Sequence, residues 1–259
     1  MNFSTNINSV EKYVYARYVK NFDSESFKLE WENYLDIKSF KINENIFEYT
    51  EKFTERTQTI VRLVTQYYLK KAFESMKIDF NDENVSENMG SIGTPGRIAK
   101  MWVGKGLEDD RELLCGRWTK QPRIASFKNT SNFEKPVTKK VSLISVCSHH
   151  LVPFSTLFRE DSYVLISYIP NDFLIGISKL QRTVDWIAKR GWLQEDLTKA
   201  IYQEICEIAQ TNSVYVELKN VIHSCEYFRG ALCKDGAMST KYYGGLFEDK
   251  EYRETINDN

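Results

Sequence analysis

The stretch Val141-Ser142-Leu143-Ile144-Ser145-Val146-Cys147-Ser148-His149-His150-Leu151-Val152-Pro153-Phe154 decides how this chain is read. Its first six residues read as a strand, Val141–Val146, rich in β-branched side chains. A cysteine and two adjacent histidines follow where that strand must turn. Cys147 and His150 stand three apart, so at a turn their side chains can converge. The chain has only three histidines, and all of them fall beside cysteines. His223 precedes Cys225 by two residues, and on a strand that spacing puts both side chains on one face. A metal site is the natural reading of such a distribution.

Working outward, the patterns alternate between sheet and helix. Tyr163–Ile169 reads as a strand ended by Pro170, and Phe173–Ile177 as a short apolar run. Leu180, Val184, Ile187 and Ala188 form one helical stripe, and Leu197, Ile201, Ile205 and Ile208 another. Ser213–His223 alternates as a further strand. Upstream, Phe53–Met76 carries a helical face through Ile60, Leu63, Val64 and Tyr67, and Asp79–Gly93 reads as a loop. Thr94 and Pro95 resemble an N-cap and first helical position of a short helix reaching Trp102. Residues 104 to 138 read as a long connection. Residues 1 to 50 show weak periodicity and read as an extension of uncertain structure. The pattern as a whole predicts an α+β class, with an antiparallel sheet carrying helices on one side.

Composition narrows the function. The 259 residues carry 35 basic and 36 acidic side chains, a formal charge of -1. That balance gives no global attraction to nucleic acid or membrane, so an anionic ligand must be held by a local basic cluster. No segment has the length of a membrane span, and the polar start is no signal peptide. The expectation is a soluble cytoplasmic protein. Five scattered cysteines, Cys115, Cys147, Cys206, Cys225 and Cys233, do not make a disulfide framework. Cys206 sits among apolar helix positions and reads as core. Cys147, His150 and Cys225 can supply two thiolates and an imidazole with a fourth position open, the pattern of catalytic zinc. A closed structural site that also uses His223 is the alternative.

Several motifs then carry a resemblance. Cys147–Phe154, Ile175–Arg182, Gln194–Thr198, His223-Ser224-Cys225 with Arg229-Gly230, Gly244 with Phe247, and Thr94–Lys100 follow in order. Together they resemble the GTP cyclohydrolase I family over roughly residues 55 to 250. The sequence departs from the family pattern at Ser148, Asp196, Trp192 and Lys241, and over a longer Ser155–Ser162 segment. The resemblance implies the tunnelling fold (T-fold), an antiparallel sheet backed by helices, with an N-terminal helical part. It divides residues 51–259 into a helical part to about 125 and a T-fold part from about 126. It also implies a homo-oligomer, a decamer of two pentameric rings, with active sites between subunits.

The implied reaction opens GTP at carbon 8 of the purine, releases formate and forms 7,8-dihydroneopterin triphosphate. Water is too weak a nucleophile for that carbon. Zinc lowers the pKa of water from about 15.7 to about 7, a difference of about 12 kcal/mol at about 1.36 kcal/mol per unit. Cys147, His150 and Cys225 are the implied zinc ligands. His149 and His223 are the candidates for proton transfer, since imidazole can give and take a proton in one cycle. The resemblance assigns Ser178 to a later sugar rearrangement. Glu195, with Gln194 beside it, would bind guanine, because a carboxylate accepts from the ring amide and amino group. Lys179 and Arg182, three apart on one helix face, would meet the triphosphate with Arg229, Arg97 and Lys100. Arg97 and Lys100 would reach a neighbouring subunit's site. Two other readings stand beside this one: a T-fold protein acting on GTP in a deazapurine or modified-base pathway, and a non-catalytic zinc-stabilised nucleotide-binding ring.

Overall fold

The computed structural model describes residues 4–36, 54–82, 85–86, 92–104, 121–230 and 236–257. Cys115 and Cys233 lie outside them, as do residues 83–84 and 87–91 of the loop read over Asp79–Gly93. The chain forms two compact units, Met1–Lys120 and Gln121–Asn259. No helix among the described residues is long and apolar enough to cross a membrane.

The first unit is helical: α1 (Ser4–Tyr18), α2 (Ser24–Asp36), α3 (Glu55–Ser75) and α4 (Gly93–Val103). The extension of uncertain structure thus contains two helices. Val10, Val14 and Tyr18 recur every four residues on α1, and Phe27 and Trp31 do so on α2. These residues pack with Ile60, Leu63 and Val64 of α3 in one core. The stripes are aromatic and short, which is why their period was faint in the sequence. Thr54 caps α3, its hydroxyl accepting from Thr57 N at 3.0 Å. The buried Glu30 carboxylate accepts from the hydroxyls of both threonines. Thr94 is not an N-cap. Helix α4 begins at Gly93, Ile92 takes the cap position with no side-chain bond, and the Thr94 hydroxyl accepts from Arg97 Nη2 at 3.0 Å.

The second unit is a T-fold. It runs β1 (Ser126–Lys128), β2 (Val137–Val141), β3 (Ile144–Val146), β4 (Pro153–Ser155), β5 (Tyr163–Tyr168), β6 (Phe173–Ile175), α5 (Ile177–Ala188), α6 (Gln194–Ala209), β7 (Val214–His223), α7 (Ser224–Phe228), β8 (Met238–Tyr243) and α8 (Lys250–Asn257). All strand pairs are antiparallel, with order β2-β5-β7-β4-β3 and β8 also on β7, while β1 and β6 make a separate pair. Val164, Ile166, Val214, Val216 and Leu218 point to the stripes of α5 and α6, forming the main core. Helices on one face of an antiparallel sheet are the α+β arrangement read from the sequence.

Two expectations are corrected here. The long connection over 104–138 contains β1 and the first two residues of β2. The single strand over Val141–Val146 is two strands broken at Ser142 and Leu143. Side chains take the backbone groups of that pair: Gln181 bonds both Ser142 N and O at 2.9 Å, and Thr156 Oγ1 accepts from Leu143 N at 2.8 Å. A ladder cannot use groups already engaged.

Candidate metal centre and nucleotide site

The turn after β3 is built by its own backbone. His150 N and Leu151 N both donate to Cys147 O, at 3.3 and 2.8 Å, and Leu151 takes a left-handed φ of 53°. From outside, Trp192 clamps the turn: its N donates to Val146 O at 2.8 Å and its O accepts from Ser148 N at 3.1 Å. The Trp192 indole donates to Ile187 O, anchoring the clamp to α5. The turn folds His150 back on Cys147, with Nδ1 3.9 Å from Sγ.

Cys225 arrives from another part of the chain. The strand expected to carry both His223 and Cys225 ends at His223, and Cys225 lies in the first turn of α7. The convergence survives because the chain bends there into a short helix. One donor atom from each of Cys147, His150 and Cys225 lies within 4.8 Å of the others. Two ligands of a tetrahedral zinc with bonds of ~2.3 Å stand ~3.8 Å apart. The 3.9 Å between Cys147 and His150 already has that spacing. Two sulfurs and one imidazole suit zinc, and with Cys147 buried and His150 exposed, one side stays open for a fourth ligand. Burial first, and then neighbouring Cys147, push the Cys225 thiol above its ordinary range. A cation between the two sulfurs removes that repulsion.

His223 sits beside this group at the end of β7. Its ring stacks on Phe154, with centroids 4.6 Å apart and planes at 5°. Nε2 lies 2.6 Å from Gln194 Oε1. Burial lowers the pKa of His223, while Glu195 and Glu226 pull it the other way. Gln194 is buried at the start of α6, and Glu195 next to it is exposed in the helix's first turn. His149 is exposed, its ring 6.0 Å from that of His150. Arg229, one turn beyond Cys225, brings Nη1 to 3.4 Å from His150 Nε2. The structure therefore gathers Cys147, His149, His150, His223, Gln194, Cys225 and Arg229, with Glu195 acting electrostatically on His223.

The other predicted residues belong to other elements. Ser178, Lys179 and Arg182 are in the first half of α5, just after β6, whose Ile175 N donates to Tyr168 OH at 2.8 Å. The far end of α5 adjoins the metal centre, since Ser145 Oγ donates to Ala188 O at 2.6 Å. At 1.5 Å per residue, Ser178 stands about 15 Å along the helix from that end. Arg97 and Lys100 belong to α4 of the other unit. Sequence reasoning passed over Thr198 and Thr240, which fix Gln194 (Thr240 Oγ1 accepts from Gln194 Nε2 at 3.0 Å). The available signal was threonine hydroxyls near a helix start, Thr198 buried and Thr240 half-buried.

An antiparallel sheet backed by two helices, with thiols and imidazoles gathered at one end, defines a T-fold enzyme with a metal-capable centre. The GTP cyclohydrolase I family profile matches residues 69–258. A GTP cyclohydrolase 1 from Wigglesworthia glossinidia brevipalpis is 30% identical over 217 residues, covering 83% of this chain and 91% of the relative. One from Enterobacter sp. (strain 638) is 31% identical over 196 residues, 75% of this chain and 79% of the relative. One from Salmonella gallinarum is 30% identical over 186 residues, 71% and 75% respectively. The chain belongs to the GTP cyclohydrolase I family.

Proposed function

We propose that this protein is a zinc-dependent GTP cyclohydrolase I that hydrolyses GTP at purine carbon 8 to give formate and 7,8-dihydroneopterin triphosphate. The observation that carries the reading is the meeting of Cys147, His150 and Cys225 from two distant segments, beside two further histidines. Zinc held there supplies Lewis-acid activation of water at neutral pH. His149, exposed beside the centre, is positioned to protonate the purine's five-membered ring, and His223 to carry a second proton. Glu195 accepts from the guanine amide and amino group, selecting guanine over adenine. Arg229 turns toward the triphosphate. Ser178 serves the later sugar rearrangement.

Lys179 and Arg182 complete the phosphate grip from another copy of the chain. About 15 Å of helix separates that end of α5 from the metal end of the same subunit. A homo-oligomer, a decamer of two pentameric rings, brings the two ends of different chains together, and Arg97 and Lys100 join from a neighbour. The protein works in the cytoplasm.

The test is a zinc assay and GTP turnover on one preparation. About one zinc per chain, formate, and a fluorescent pterin after oxidation are expected with GTP and not with ATP. Bound zinc and nucleotide without turnover would establish the non-catalytic ring instead, and a different GTP product the deazapurine reading.

A further inference from the structure

Gln194 makes more contacts than a substrate ligand can spare. Its Nε2 lies 3.2 Å from Met238 O and 3.0 Å from Thr240 Oγ1. A carbonyl only accepts, so the amide atom facing Met238 must be nitrogen. That fixes which end is which: Oε1 faces His223 Nε2, at 2.6 Å. An amide oxygen only accepts too, so His223 Nε2 must carry a proton. The threonines are equally determined. Thr198 Oγ1 donates to Gln194 O at 2.8 Å, spending its one proton. The 2.6 Å bond between the two hydroxyls therefore runs from Thr240 to Thr198. Thr240 Oγ1 is then left to accept from Gln194. Both amide hydrogens of Gln194 are committed, its oxygen is taken, and the residue is only 2% exposed.

We propose that Gln194 is a positioning residue rather than a guanine contact: locked by Thr240, Thr198 and the Met238 carbonyl, it holds His223 with the proton on Nε2 and leaves Nδ1 as its only lone pair. Phe154 stacked on the imidazole fixes the ring plane, and Gln194 fixes the rotation within it. His223 then meets the substrate with one defined nitrogen. This rests on the GTP cyclohydrolase reading for its kinetic consequence, but not for its structural one.

The experiment compares zinc-loaded full-length wild type with Gln194→Leu, Thr240→Val and Thr240→Ser. With 15N-labelled histidine only three imidazoles are visible, and the one lost in His223→Asn belongs to His223. Wild type is expected to show Nε2–H, and Gln194→Leu a mixture of tautomers. In GTP turnover, Gln194→Leu should lower kcat at least about tenfold, part of the ~10²–10⁴ that acid–base groups contribute, with KM within about twofold. Zinc per chain should not change. Thr240→Val should lower kcat by less, and Thr240→Ser should restore it. A wild-type His223 protonated on Nδ1 overturns the proposal. So does a raised KM at unchanged kcat in Gln194→Leu, which would make Gln194 a substrate contact. If wild type does not turn over GTP, the proposed activity fails, and the nitrogen spectrum alone decides the positioning.

Discussion

Replacing Cys225 by Ala removes one of three protein donors that now lie within 4.8 Å of each other. Cys147 and His150 remain, already at the 3.9 Å separation of two tetrahedral ligands. Two donors cannot hold zinc against competing water as three do. Apparent binding of zinc by four-ligand sites is ~10–16 kcal/mol, or roughly 3 kcal/mol per ligand. Losing one ligand therefore raises Kd by about two orders of magnitude, at about 1.4 kcal/mol per factor of ten. The assay is a competition titration against a chromogenic zinc chelator at neutral pH, with GTP turnover on the same samples. Cys206→Ala is the control: that thiol lies on α6, pushed up by burial and bonded to Tyr202, and its loss should leave zinc affinity unchanged. Far-ultraviolet circular dichroism confirms that both variants are folded. A Kd for Cys225→Ala within threefold of wild type would refute the assigned centre.

Glu195→Ala should keep its zinc but raise KM for GTP at least about tenfold, because charged hydrogen bonds contribute ~1.5–3 kcal/mol each; unchanged KM removes the guanine assignment. Cys147→Ala and Arg182→Glu should each be inactive alone. Dissociated and reassembled in equal amounts, they should recover about a quarter of the wild-type activity if one site draws on two chains; no recovery argues for a site within one chain. Burial raises the Glu204 carboxyl pKa, with Glu207 adding and Gln121 and Arg190 opposing. A native pKa above the unfolded value means the native state prefers the protonated form. That contribution is fully present below the unfolded value and is lost as pH rises through the native one. Glu204→Gln, neutral at every pH, should melt above wild type at pH 7, by under about 1 kcal/mol, and match it below about pH 4. A variant less stable at pH 7 would contradict this.

The Cys147–His150–Cys225 group, which could hold a metal, was legible because cysteine and histidine are rare here and their spacing is short. The helices of the second unit were legible because their apolar stripes are aliphatic and long. What escaped depends on side chains capturing backbone. Nothing in Ser142-Leu143 announces that Gln181 and Thr156, remote in the chain, take the groups a strand would need. Thr94 looked like a cap because threonine often is one, yet the helix starts before it. Gln194 was legible as part of the Gln194–Thr198 motif, but its bonding partners were not. Its committed hydrogens depend on Met238 and Thr240, more than forty residues away.

Strand β7 explains why the histidine faces the right way. Val214, Val216 and Leu218 lie on the helix-packed face, and so does Val221, three residues after Leu218 rather than two or four. Tyr215, between them, packs on the opposite face with Phe247. Strict alternation from Val214 would put His223, nine positions on, on the face of Tyr215. The irregularity between Leu218 and Val221 reverses the parity, with Asn220 in a left-handed conformation at φ 52°. Asn220 is held there from both sides: its N donates to Ser239 Oγ at 3.0 Å and its Nδ2 to Asp161 Oδ2 at 2.8 Å. A bulge costs ladder bonds, and here it delivers His223 to Gln194 and Phe154 and starts Cys225 toward Cys147. Asp161 belongs to the Ser155–Ser162 segment, so that segment lends support to the turn that aims His223.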